Sequence, residues 1–135
     1  EAHYRSALVA VAPDGSRSQR LTSGASYHDF DPAYSPDGSR LAFVSEKTGH
    51  LRFEIFLMPA TTGWDTAYQE AIQLTDLEGM SWKPDWSPDG ARIAFAAKAG
   101  EEWGIYVMDA DGSNLTALIR GPDRVDAPAW RPASR

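Results

Sequence analysis

WSPDG at residues 86–90 repeats YSPDG at residues 34–38, and the chain begins the phrase a third time as WRP at 130–132. Outward from the two full copies, DPAYSPDGSRLAF at 31–43 lies over KPDWSPDGARIAF at 83–95 without a gap. The Pro, the aromatic, SPDG, Arg, an aliphatic, Ala and Phe all match. Internal repetition on this scale decides the architecture before any local reading does. The match continues past the phrase, because IFLM at 55–58 and IYVM at 105–108 stand fifty residues apart. APAWRP at 127–132 restarts it forty-four residues after the second copy. LVAVAPDGS at 8–16 aligns with IYVMDADGS at 105–113, so the chain opens on the back half of a repeat.

Each unit reads as four short strands. Ser35, Pro36, Asp37 and Gly38 stand in the order a type I turn favours, with the Gly suited to a left-handed hairpin bulge. The turn joins a strand at about 32–35 to a nearly all-apolar one at 40–45, a composition expected when both faces of a sheet are covered. Further strands are expected at 53–58 and 71–75. In the second copy they fall at 83–87, 91–97, 103–109 and 115–119, with DADG at 109–112 as another hairpin turn. WDTAYQE at 64–70 is the one candidate for a helical turn, and it lies in the insertion that lengthens the first spacing. Four-stranded units recurring every 40–50 residues are the signature of propeller blades, which cannot bury their faces singly but do so when stacked.

The phrase PDWSPDGARIAF at 84–95, followed by IYVMDADGSN at 105–114, resembles the repeat of TolB-type β-propellers, also found in propellers attached to prolyl-oligopeptidase-like peptidases. The resemblance covers almost the whole chain and departs from the repeat at Arg131, where Ser is expected. It implies an all-β fold and, by analogy with TolB, a periplasmic or secreted module that binds proteins or peptides of the cell envelope. An amino-terminal TolB domain is not visible in these residues. Two other functions are compatible with the resemblance: a propeller-funnel enzyme such as a polysaccharide lyase, and the gating propeller of a prolyl-oligopeptidase-like peptidase.

The composition bounds these readings. With 135 residues, 42% of them hydrophobic, one modest core and one domain are expected. A formal charge of −6 without a basic run removes the attraction that dominates nucleic-acid binding. There are no cysteines, so disulfides, thiolate catalysis and thiolate zinc sites are excluded. No apolar stretch is long enough to span a bilayer, and residues 1–12 lack the pattern of a signal peptide. Neither a Gly-x-Ser-x-Gly elbow nor a phosphate loop occurs. No catalytic residue, metal site or cofactor is therefore expected, and the preferred function is non-catalytic binding.

Counting gives about three blades: the last two strands of one at 1–22, complete blades at 31–75 and 82–119, and the first strand of another at 127–135. An open arc exposes sheet faces and edges. The expectation is a homodimer in which two copies close a ring of about six blades, the alternative being that the chain is a piece of a larger propeller. The seam of such a dimer runs about five residues short of a normal repeat.

Propeller geometry also points to where a ligand would sit. The loops leading into first and third strands open on one face, opposite the SPDG turns. Tyr27, His28, Asp29, Trp82, Arg124 and Asp126 are expected on that rim, with Met80 and Ser81 beside them and 47–50 and 100–103 outside. An acidic rim with exposed aromatics suits a peptide or protein bearing basic or apolar anchors. Tyr34, Trp86 and Trp130 hold the repeat's aromatic position and are expected in the core. Trp82 is divided between rim contact and packing between blades. His28 beside Asp29 and Asp31 has the chemistry of a metal or acid-base site, but solvated loop residues and caps have the same composition.

Overall fold

The SPDG phrase is written twice because its Ser, Asp and Gly each make a hydrogen bond that closes the turn. In the computed structural model, which describes residues 5–24, 27–47, 49, 52–60, 64–77 (backbone only at 64–66) and 79–132, the Gly38 N–H donates to the Ser35 carbonyl at 2.8 Å. The Ser35 hydroxyl donates to the Asp37 carboxylate at 2.6 Å and accepts the Arg40 N–H at 3.0 Å. Ser87, Asp89, Gly90 and Arg92 repeat these bonds at 2.6–2.9 Å. Gly38 and Gly90 sit at φ +73° and +69°, where a Cβ would be strained. Hydroxyl and amide donors from Ser35 and Ser39 lower the Asp37 carboxyl to about 2. Arg131 puts a cation where the third copy needs that hydroxyl.

The turns organise three antiparallel sheets. β1 (Val9–Val11) and β2 (Ser18–Arg20) form a hairpin. β3 (Asp29–Tyr34), β4 (Arg40–Ser45), β5 (Glu54–Pro59) and β6 (Ile72–Gln73) form the first complete blade in that order. β7 (Gly79–Trp86), β8 (Arg92–Ala99), β9 (Glu102–Asp109) and β10 (Thr116–Gly121) form the second. The protein is all-β apart from α1 (Trp64–Gln69), and no described helix is long and apolar enough to cross a membrane.

The innermost strands run further than the repeat predicts. β3 and β7 begin before Pro32 and Pro84, because a bulge at Asp31 and Lys83 carries the prolines past the ladder. Both bulge residues have positive φ, 49° and 52°. Lys83 Nζ meets Asp31 at 2.6 Å, joining the two bulges from blade to blade.

β4 is apolar on both sides because each side meets a different neighbour. Ala42 and Val44 pack with Ile55, Leu57, Phe95, Tyr106 and Met108 between the two blades, while Leu41 and Phe43 join Leu8, Phe56 and Met58 on the other face. The indole N–H of Trp86 donates to the Ala33 carbonyl of the first blade at 2.9 Å, and Arg40 lies 4.8 Å over its ring. Trp130 repeats the pair, donating to the Asp85 carbonyl at 3.1 Å beneath Arg92. Tyr34 holds the same repeat position but is 48% exposed where Trp86 is 6% exposed, so its expected place in the core is not realised.

Two features bear on the expected first strand at 127–135 and on closure of the ring. Residues 127–132 enter no strand ladder. They are held by Trp130, whose backbone N–H also donates to the Asp85 carboxylate at 2.6 Å. The open flank of the first blade is also covered from within: Ala67 and Tyr68 of α1 pack on the Leu41, Phe43 and Met58 face, with Tyr68 6.0 Å from the Phe43 ring. A ring of two copies would lack the second strand at each seam. The expected closed homodimer gains no support from the fold.

Candidate functional site

The loops into first and third strands meet on the face opposite the SPDG turns, and a carboxylate holds each junction there. At the first junction the Thr22 hydroxyl accepts the Leu8 N–H at 3.0 Å and lies beside buried Asp29. Tyr68 donates to Asp29 at 3.2 Å, and Ser45 supplies another hydroxyl. At the second junction Thr75 accepts the Ile55 N–H at 2.9 Å, but Ser81 stands in the place of Asp29. Glu54, from β5, supplies the missing carboxylate: Thr75 donates to it at 2.5 Å and Ser81 at 3.4 Å. Its second oxygen is buried without a hydrogen-bond partner, 3.8 Å from Arg52. Burial raises both carboxyls above their ordinary range, against the hydroxyl bonds that lower them.

Between the two junctions the blades leave an aromatic cleft of about 300 Å³, lined by Phe30, Phe53, Met80, Ser81, Trp82, Trp103 and Arg124. It is built from one pair used twice. Phe30 and Phe53 meet edge to face at 5.3 Å in the first blade, and Trp82 and Trp103 do so at 5.6 Å in the second. The members are homologous within the repeat, since Phe30 and Trp82 each stand two residues before the bulge proline and Phe53 and Trp103 each stand two residues before the isoleucine of a third strand, Ile55 or Ile105. Arg124 lies 5.5 Å over the Trp103 ring and Lys98 5.6 Å from it. The Arg124 Nε–H donates to Asp126 at 2.8 Å.

The structure separates the expected rim residues into two groups. Trp82, Arg124 and Asp126 come together: the Trp82 indole donates to the Asp126 carbonyl at 2.7 Å, and Trp82 both packs against the core and lines the cleft. Tyr27, His28 and Asp29 do not join them. Asp29 is 2% exposed, so its place on an open rim is corrected to a buried junction bond; β3 begins at this residue and turns its side chain inward. His28 accepts the Ser6 N–H at its Nδ1, 3.3 Å away, and Tyr27 is half-buried. Among the described residues no three histidine or carboxylate groups converge as metal ligands would. Of the expected outer loops, Thr48 and His50 lie outside the described residues.

Phe30 and Phe53 were missed from sequence. The signal that finds them is the internal repeat itself, because each aligns with a tryptophan of the other blade. A second concavity of about 410 Å³ runs along the innermost strands, lined by Asp31, Lys83, Asp85 and the backbone around Pro128. Its two opposite charges at Asp31 and Lys83 are spent on each other.

No family model matches the chain. It is 38% identical over 124 residues to the Tol-Pal system protein TolB of Anaeromyxobacter dehalogenans (strain 2CP-C), a match covering 91% of this chain and 26% of that protein. It is 31% identical over 107 residues to an uncharacterized peptidase, YuxL, of Bacillus subtilis (strain 168), covering 76% of this chain and 15% of the relative. The chain thus spans about a quarter or less of these two proteins. Among solved structures, TolB from Acinetobacter baumannii superposes with a TM-score of 0.64 at 24% identity, over 84% of this chain and 26% of that one.

Proposed function

The chain is built from β-propeller repeats of the TolB type, and from that premise we propose that it is a non-catalytic module whose aromatic cleft binds a protein or peptide in the periplasm or secreted space. The observation that carries the reading is the cleft itself. Four aromatic rings and Met80, which is 37% exposed, line an open cleft on the loop-bearing face of the blade stack. Aromatic side chains provide contact area at low entropic cost, and interface anchors concentrate on such residues. The reading assigns catalysis to no residue: His28 is engaged with Ser6 and Asp29 is taken up by the blade junction.

A photo-crosslinking residue at Met80, compared with one at Asp37 on the opposite face, tests this. A discrete crosslinked partner from position 80 and none from position 37 is expected. Equal labelling from both positions, or none from either, overturns it. The similarity to a peptidase favours a second reading, in which the blades gate access to a hydrolase. Peptide hydrolysis by the full-length protein, altered in rate by Met80→Trp but not by Asp37→Ala, would favour that reading.

A further inference from the structure

The chain is acidic overall, so a basic ligand is the first expectation for any surface on it. The lining of the cleft does not follow that sign. Among the described residues the single charged side chain lining it is Arg124, and Lys98 lies 5.6 Å from the Trp103 ring of its wall. Their carboxylate partners leave both cations room for an anion. Asp126 takes the Arg124 Nε–H, so among the described residues the outer guanidinium nitrogens make no hydrogen bond, and Glu101 stands 3.9 Å from Lys98 with its own side chain 99% exposed. No described carboxylate lines the cleft. A cationic side chain entering it would meet the Arg124 guanidinium on the wall, with Asp126 as the one carboxylate paired to it.

The space limits the apolar part of the ligand. About 300 Å³ is at the lower end of the roughly 300–1,000 Å³ of small-molecule sites and holds little beyond one large side chain. The walls offer ring edges, ring faces and a flexible thioether, all suited to an aromatic or long aliphatic group. Ser81 is the one hydroxyl among them, and Glu54 already engages it from behind.

We propose that the cleft takes one large apolar side chain of a protein partner whose sequence neighbours are acidic, with Arg124 and Lys98 receiving the flanking carboxylates. This deepens the binding function proposed above and rests on it. The Asp126 carboxylate competes with the partner for Arg124 and so sets how much of its charge the ligand can use.

The test uses the whole chain, ¹⁵N-labelled, and follows its tryptophan indole N–H resonances during titration with N-acetylated, C-amidated Asp-Phe-Asp, Lys-Phe-Lys and Asp-Ala-Asp peptides. Saturable shifts at Trp82 and Trp103 are expected with Asp-Phe-Asp, at about fivefold higher affinity than with Lys-Phe-Lys at low salt, the difference shrinking as salt rises. Arg124→Gln should remove most of that preference. Asp126→Asn should enlarge it, an outcome that damage to the fold does not produce. Equal binding of the acidic and basic peptides at these indoles would overturn the charge preference while leaving cleft binding intact. Tighter binding of decanoate than of any peptide would overturn the protein partner in favour of an acyl chain. Shifts from none of the probes would sink both the preference and the use of the cleft.

Discussion

Trp86→Phe isolates the bond that ties one blade to the next. The substitution keeps a ring in the slot but removes the indole N–H that donates to the Ala33 carbonyl at 2.9 Å. One net hydrogen bond is worth about 1 kcal/mol. The smaller ring removes on the order of 40 Å² of apolar contact, about 1 kcal/mol. It also weakens the stacking of Arg40, 4.8 Å away, by about 0.5 kcal/mol. The expected cost is therefore about 2–3 kcal/mol, read as a lower urea midpoint with an unchanged slope. Tyr34→Phe is the internal control, because Tyr34 occupies the same repeat position yet is half exposed. It should change stability by less than about 0.5 kcal/mol. Trp130→Phe should loosen residues 127–132 while leaving the main transition near the parent value, since that segment adds no strand ladder. Equal losses at Trp86 and Tyr34 would refute the argument that blade-to-blade contact, and not the repeat position as such, determines the energy.

Glu54→Gln keeps an acceptor for Thr75 and removes a buried charge. Because burial raises the folded Glu54 carboxyl, its contribution is full below the unfolded carboxylate range and is lost as pH rises through the folded value. The variant's thermal midpoint should therefore gain on the parent between about pH 4 and pH 7, and a constant difference across that range would contradict the reasoning. Asp37 has the opposite sign: its bonds hold the carboxyl at about 2, so its contribution is present above the unfolded value and fades as pH falls. The deficit of Asp37→Ala should accordingly narrow on acidification from about pH 5 toward pH 2 in circular-dichroism melts. Gly79→Ala would place a Cβ 1.7 Å from the Lys98 carbonyl oxygen, a backbone clash that no rotamer relieves. It should cost about 2–3 kcal/mol in a urea titration.

The blades were legible because their information is local and written twice. A Ser, an Asp and a Gly within four residues close their own turn, so YSPDG and WSPDG announce the hairpins without help from distant chain. The apolar runs at 41–44 and 93–97 likewise announce strands buried on both faces. The strand starts were less legible, because residues 32 and 83 read as beginnings when they lie at bulges inside longer strands. Trp82, Arg124 and Asp126 were found from loop position alone, and their neighbours Phe30 and Phe53 were hidden as ordinary core aromatics.

What the sequence by itself determined is the repeat, the all-β architecture and the turn chemistry, since each depends on residues only a few positions apart. Tertiary structure decided the rest. It buried Asp29, recruited Glu54 where the second blade carries Ser81, laid α1 over the open flank and turned two aromatic pairs into one cleft. Each of those outcomes joins groups twenty or more residues apart, through burial and through bonds that exist only once two sheets are stacked.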